Sequence, residues 1–148
     1  MALQGYAIGP REGEHLILRG GDIFIKADPS TGSKGLTMGT QQIPVGVGIP
    51  IHRHFEIDEA FCVIAGRGIL ILNDVPHFIE TGGTIFIPKN TWHGFENADS
   101  ELVLLWIVAP PGLEAFFRKI AARPGEPAIH RTKDQLNEIA RRYGTEFR

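Results

Sequence analysis

A chain of 148 residues with 43% hydrophobic and 22% charged side chains can bury one core without disulfides or a structural zinc. Its only cysteine, Cys62, excludes an intramolecular disulfide and lies in an apolar run, where a thiol behaves as a small hydrophobe. The net charge of −2 is unevenly spread, with 7 Lys+Arg against 13 Asp+Glu in residues 1–117 and 8 against 4 in residues 118–148.

Residues 1–14 read as an irregular arm with a turn at Gly9-Pro10. Residues 15–19 and 22–26, rich in Ile, Leu and Phe, predict a hairpin across Gly20-Gly21. A polar loop, 28–34, leads to a strand over 35–43 that Pro44 ends or edges. Next comes the run 46–66, GVGIPIHRHFEIDEAFCVIAG, with strand character throughout and two histidines inside it. The glycines of Gly66-Arg67-Gly68 predict a hairpin between 59–65 and 69–72, and Asn73-Asp74 predicts another before 75–80. Strands over 84–87, 91–97 and 102–109 follow. Strands of four to eight residues with a turn signal about every ten indicate an all-β sandwich or barrel.

The segment 102–108, LVLLWIV, is too short to span a bilayer and reads as a strand covered on both faces. A second subunit is one way to cover it, so a homodimer is expected. Pro110-Pro111-Gly112 breaks the sheet. Leu113, Phe116, Phe117 and Ile120 then recur at helical spacing, and Leu136, Ile139 and Ala140 mark a second short helix within 134–143. The expected organisation is one domain over 1–148, with a barrel core at about 15–110 and a helical tail at about 112–148. In the tail, acidic residues interrupt the basic ones. Nucleic acid is therefore not an expected partner, and attraction to the acidic body is. No signal pattern and no spanning run is present, which predicts no membrane partner and a cytoplasmic location.

Side chains at i and i+2 on a strand share a face, so His52 and His54 point the same way. Glu59 supplies a carboxylate nearby; Glu56, two residues from His54, competes for that role. On the strand 91–97, His93 shares a face with Thr91, Phe95 and Asn97. Three imidazoles and one carboxylate suit Fe, Mn, Ni, Co or Zn, and four protein ligands on an octahedral ion leave two open positions. Phe61, Val63, Phe95, Phe78 and Trp106 are the candidate apolar wall of a small-molecule pocket. His15, His77 and His130 read as structural or solvated, although His77 lies on a strand that could face the pocket.

These residues resemble the two motifs of the cupin superfamily. The first, G(X)5HXH(X)3-4E(X)6G, is met by Gly46, His52, His54, Glu59 and Gly66. The second, G(X)5PXG(X)2H(X)3N, is met by Gly82, Pro88, His93 and Asn97, with Asn90 where glycine is usual. Asn tolerates a left-handed backbone better than most residues. The resemblance implies a double-stranded β-helix, or jelly-roll barrel, with one or two short C-terminal helices. It also implies one divalent transition metal per chain held by His52, His54, Glu59 and His93, and it favours Glu59 over Glu56.

The phrases HRHFEIDEAFCVIAG and APPGLEAFFRKI are similar to small single-domain cupins of the quercetin-dioxygenase-like kind. That likeness implies a metal-dependent dioxygenase-type oxidoreductase acting on a small enolisable or aromatic substrate, with Glu59 as ligand and catalytic base. Because cupins host many chemistries, a non-oxidative isomerase or lyase and a binding protein without catalysis stay open.

Overall fold

Strand β10 (Leu102–Ala109) sets the pattern for the barrel: Leu102, Leu104, Trp106 and Val108 are each at most 1% exposed, while Val103, Leu105 and Ile107 between them are half-buried. This is the period-two alternation of a strand packed on one face. The computed structural model describes residues 4–148.

Ahead of β10 come β1 (Glu14–Leu18), β2 (Gly21–Ala27), β3 (Thr37–Ile43), β4 (Ile49–His54) and β5 (Asp58–Ala65). They are followed by β6 (Arg67–Leu72), β7 (Val75–Glu80), β8 (Thr84–Ile87) and β9 (His93–Glu96). After β10 come helices α1 (Leu113–Ile120) and α2 (Lys133–Arg142) and a last strand, β11 (Thr145–Phe147). One sheet has the order β1-β2-β3-β10-β5-β8 and the other β11-β4-β9-β6-β7, all pairs antiparallel. Apolar side chains from both sheets and from α1 join in one core.

The chain changes sheet within the histidine-bearing run. β4 carries His52 and His54 in one sheet, and β5 carries Glu59 in the other. The ligand residues adjacent in sequence therefore reach the barrel interior from opposite walls.

The expected hairpin at Gly66 is corrected in the same way. β5 and β6 do not pair, because the chain crosses between sheets there. Gly66 has φ 88°, and a Cβ on it would fall 1.8 Å from the carbonyl oxygen of Glu101, so only glycine fits. Asn90 has φ 64°, so it takes the left-handed position that glycine usually fills. At the start of the chain the hairpin turns on Arg19-Gly20, with Leu18 paired to Gly21.

Helix α1 buries Leu113, Phe116, Phe117 and Ile120 against the barrel, as their spacing predicts. In α2, Thr132 and Gln135 form a capping box. Asn137 on α2 is buried and holds Phe147 of β11 by both backbone groups. The basic tail meets the acidic body within the chain: Arg118 pairs with Glu14 and Asp28, and Arg148 with Asp74. Among the described residues, no helix is long and apolar enough to cross a membrane.

Candidate metal centre and cavity

Three strands build the centre. His52 and His54 project inward from β4, and His93 on β9 stands directly opposite His52 in the ladder, with ring centroids 4.2 Å apart. Glu59 faces them from β5. All four are buried, His93 to 1% exposure. One ligand atom from each lies within 4.8 Å of all the others. Opposite ligands on an ion with bonds of about 2.1 Å stand about 4.2 Å apart, so the cluster is close to the size binding requires.

The outer nitrogens determine what the inner ones can do. His52 Nδ1 lies 2.7 Å from the Pro50 carbonyl and His93 Nδ1 lies 2.9 Å from the Thr91 carbonyl. A carbonyl only accepts, so each Nδ1 carries a proton, and in the neutral ring each Nε2 presents a lone pair inward. His54 Nδ1 is 2.7 Å from Thr145 Oγ1, a hydroxyl brought in by β11. Metal-bound histidines typically have this kind of outer hydrogen bond, which fixes ring and tautomer.

The inner atoms are left without satisfactory partners. Glu59 Oε1 is 2.8 Å from His54 Nε2 and 3.2 Å from His93 Nε2. These distances are short, but Glu59 Oε1 and His93 Nε2 have no aligned hydrogen bond. Buried polar atoms without partners are uncommon and call for a missing partner. A divalent cation satisfies all of them at once, so the donor set fits a metal.

The electrostatics point the same way. Burial alone would raise the Glu59 pKa, but the charges and close approach of His54, then of His93, hold it well below the ordinary carboxylate range. Burial, followed by the neighbouring His93 and His54, pushes His52 well below the usual imidazole value. Glu59 is thus anionic and His52 neutral, the forms that bind a cation.

The ligands line one end of a narrow cavity whose enclosed space is about 40 Å³, within about 500 Å³ of non-atom space that includes its open mouth. Phe61, Phe95 and Trp106 line it, and Leu113, Phe116 and Phe117 of α1 close part of it. Trp106 Nε1 is buried and lacks a hydrogen-bond partner. Val63 is 1% exposed in the core and is not among the cavity walls. Phe78 is 68% exposed on β7, where only Ile79 turns inward, so the alternation there runs in the opposite phase from the wall reading. His77 is also exposed, and so is Glu56, which leaves Glu59 as the buried carboxylate.

Asn97, the last residue of the second motif, serves the frame. Its Nδ2 donates to the carbonyls of Ile43, Pro44 and Ser100. Sequence reading missed Thr145, because three residues, TEF, form a strand only by pairing with β4. It also missed Gln41 and Arg19, both in the cavity wall.

Comparison with known proteins gives the family of this fold. The cupin domain family (Cupin_2) matches residues 39–109. Protein SchB of Streptomyces halstedii is 36% identical over 94 residues, which cover 62% of this chain and 68% of SchB. This chain belongs to the cupin superfamily. The uncharacterized protein MJ1618 of Methanocaldococcus jannaschii is 33% identical over 70 residues, 47% of this cupin and 56% of that protein, so the match spans little more than half of the relative. The solved polyketide cyclase RemF of Streptomyces resistomycificus superimposes with a TM-score of 0.67 at 18% identity, covering 90% of this cupin and 92% of RemF. At that identity the likeness is one of fold.

Proposed function

We propose that this cupin is a metal-dependent enzyme of the dioxygenase type acting on a small enolisable or aromatic molecule. The observation that carries the reading is the placement of four buried ligand atoms at one end of a cavity walled mainly by aromatic and aliphatic side chains. Bound by His52, His54, Glu59 and His93, a divalent Fe, Mn, Ni, Co or Zn ion supplies Lewis acidity toward a substrate oxygen and, where redox-active, toward dioxygen.

The chain's own residues do the rest. Phe61, Phe95 and Trp106 hold a flat apolar body and keep bulk water from it, and α1 covers its outer side. With Glu59 Oε1 turned to His54 and His93, Oε2 is the oxygen left to take a proton from a substrate hydroxyl. Thr145 and the Pro50 and Thr91 carbonyls keep the three imidazoles oriented throughout. The half-buried outer face of β10 supports a homodimer as the working assembly, which gel filtration reads as twice the 16.3 kDa chain mass.

The overlay with a protein named a polyketide cyclase favours a second reading, in which the same centre drives a non-oxidative cyclisation, isomerisation or lyase reaction. One experiment separates the two. Protein loaded with Fe(II) or Ni(II) is given a flavonol, a 1,3-diketone or a catechol, with oxygen uptake followed on an electrode and products analysed with and without air. The dioxygenase reading predicts uptake that disappears in Glu59→Gln. Turnover that persists without oxygen supports the second reading. Tight binding with the ligand recovered unchanged leaves a binding protein.

A further inference from the structure

At the other end of the cavity from the metal ligands stands a cation with no counter-charge. Arg19 lies at the tip of the β1–β2 hairpin and lines the same cavity as His52, His54, Glu59 and His93. It is half-buried, and among the described residues it forms no salt bridge and no side-chain hydrogen bond. Burial pulls its pKa below the ordinary guanidinium value, with no carboxylate to oppose the shift. Desolvated charges in proteins are normally paired, because an unpaired one is costly.

Two further observations place a ligand there. Gln41 is 7% exposed and lines the same end of the cavity, and among the described residues its side-chain amide forms no hydrogen bond. The backbone of Arg19 is left-handed, with φ 52°. Asn or Gly would fit that turn position with less strain, and strain of this kind collects at functional sites. Glu126, the acid that lines the adjoining vestibule, accepts a hydrogen bond from the backbone N–H of Arg123.

The register gives the spacing. Glu59 stands opposite Val108 on β10, and Gln41 stands opposite Leu104. Four residues of strand separate the two levels, about 13 Å. A ligand that touches both ends is elongated, with an apolar middle against Phe61, Phe95 and Trp106.

We propose that Arg19, with Gln41, binds the carboxylate of an amphipathic acid whose apolar body lies along the aromatic wall of the cavity and whose far end reaches the metal centre. The planar guanidinium fork matches a carboxylate with two parallel hydrogen bonds, and the Gln41 amide adds a donor. The proposal rests on the reading of the cavity as the substrate site, and it narrows the substrate class from enolisable or aromatic compounds to acids.

Calorimetric titration with 4-phenylbutyrate and with its neutral amide, on Zn(II)-loaded and on metal-stripped protein, tests it. The acid should bind at least about tenfold tighter than the amide in both forms, a factor within reach of one charge-assisted contact. Arg19→Asn, which suits the left-handed turn, should abolish that preference, and Arg19→Lys should retain only part of it. The ligand-free Arg19→Asn protein should melt at or above the wild-type temperature. Equal binding of acid and amide, a preference that survives Arg19→Asn, or one that disappears when the metal is stripped overturns the proposal, as does a Tm loss of several degrees in Arg19→Asn. Metal content measured on the same samples reports on the metal centre independently, so the anion site can fail while the centre stands.

Discussion

The two ends of the cavity differ in how their polar groups are held. At the metal end every imidazole is fixed from behind by a hydrogen bond, and the unsatisfied atoms all face a common centre. At the Arg19 end the guanidinium and the Gln41 amide have no such support. The first end is built for a permanent occupant, because a rigid donor set loses little on binding an ion. The second suits a transient one, since its groups stay free until a ligand supplies the partner. The contrast teaches that missing partners must be read together with what stands behind them.

The largest expected effect breaks the metal end. Glu59→Gln removes the only carboxylate of the set, and the ion content of purified protein should fall from about one per chain to near none by mass spectrometry. Thr145→Val keeps the shape of β11 but removes the group behind His54. Its ion affinity should drop by about 10–100-fold in a chelator competition, the usual cost of losing an outer partner. If affinity is unchanged, support from behind is not what distinguishes the two ends.

A smaller effect comes from acid. The folded pKa of His52 lies below its unfolded value near 6.5, so below that pH the unfolded chain binds a proton the native protein refuses. Ion-free protein should therefore lose stability as the pH drops below about 6.5, and denaturant titration across that range will read it. Asn97→Ala should lower Tm by several degrees through the three abandoned carbonyls, at about 1–3 kcal/mol, without changing ion stoichiometry.

How much of this was legible in the sequence follows the same division. The clustering of His52, His54, Glu59 and His93 was legible because their spacing is a chemical pattern that survives without any knowledge of the sheets. The barrel was legible from short strands and turns, and α1 from its apolar stripe. The pairing was not: Gly66 reads as a hairpin turn until Gly66 is seen meeting Glu101 across a sheet change. Phe78 fails for a related reason, since period two fixes alternation but not which phase faces inward. Thr145 sits on a strand too short to announce itself, and Arg19 reads as an ordinary surface charge until the fold carries it to the cavity.

The proposed chemistry depends on His52, His54, Glu59 and His93 holding one divalent transition ion. A crystal structure of protein purified without added metal, with anomalous data collected across the transition-metal edges, tests it most directly. One peak is expected, at about 2.1 Å from the three Nε2 atoms and a Glu59 oxygen. Density with no anomalous signal there, in crystals that also remain empty after soaking with Fe(II), Ni(II) and Zn(II), would contradict it.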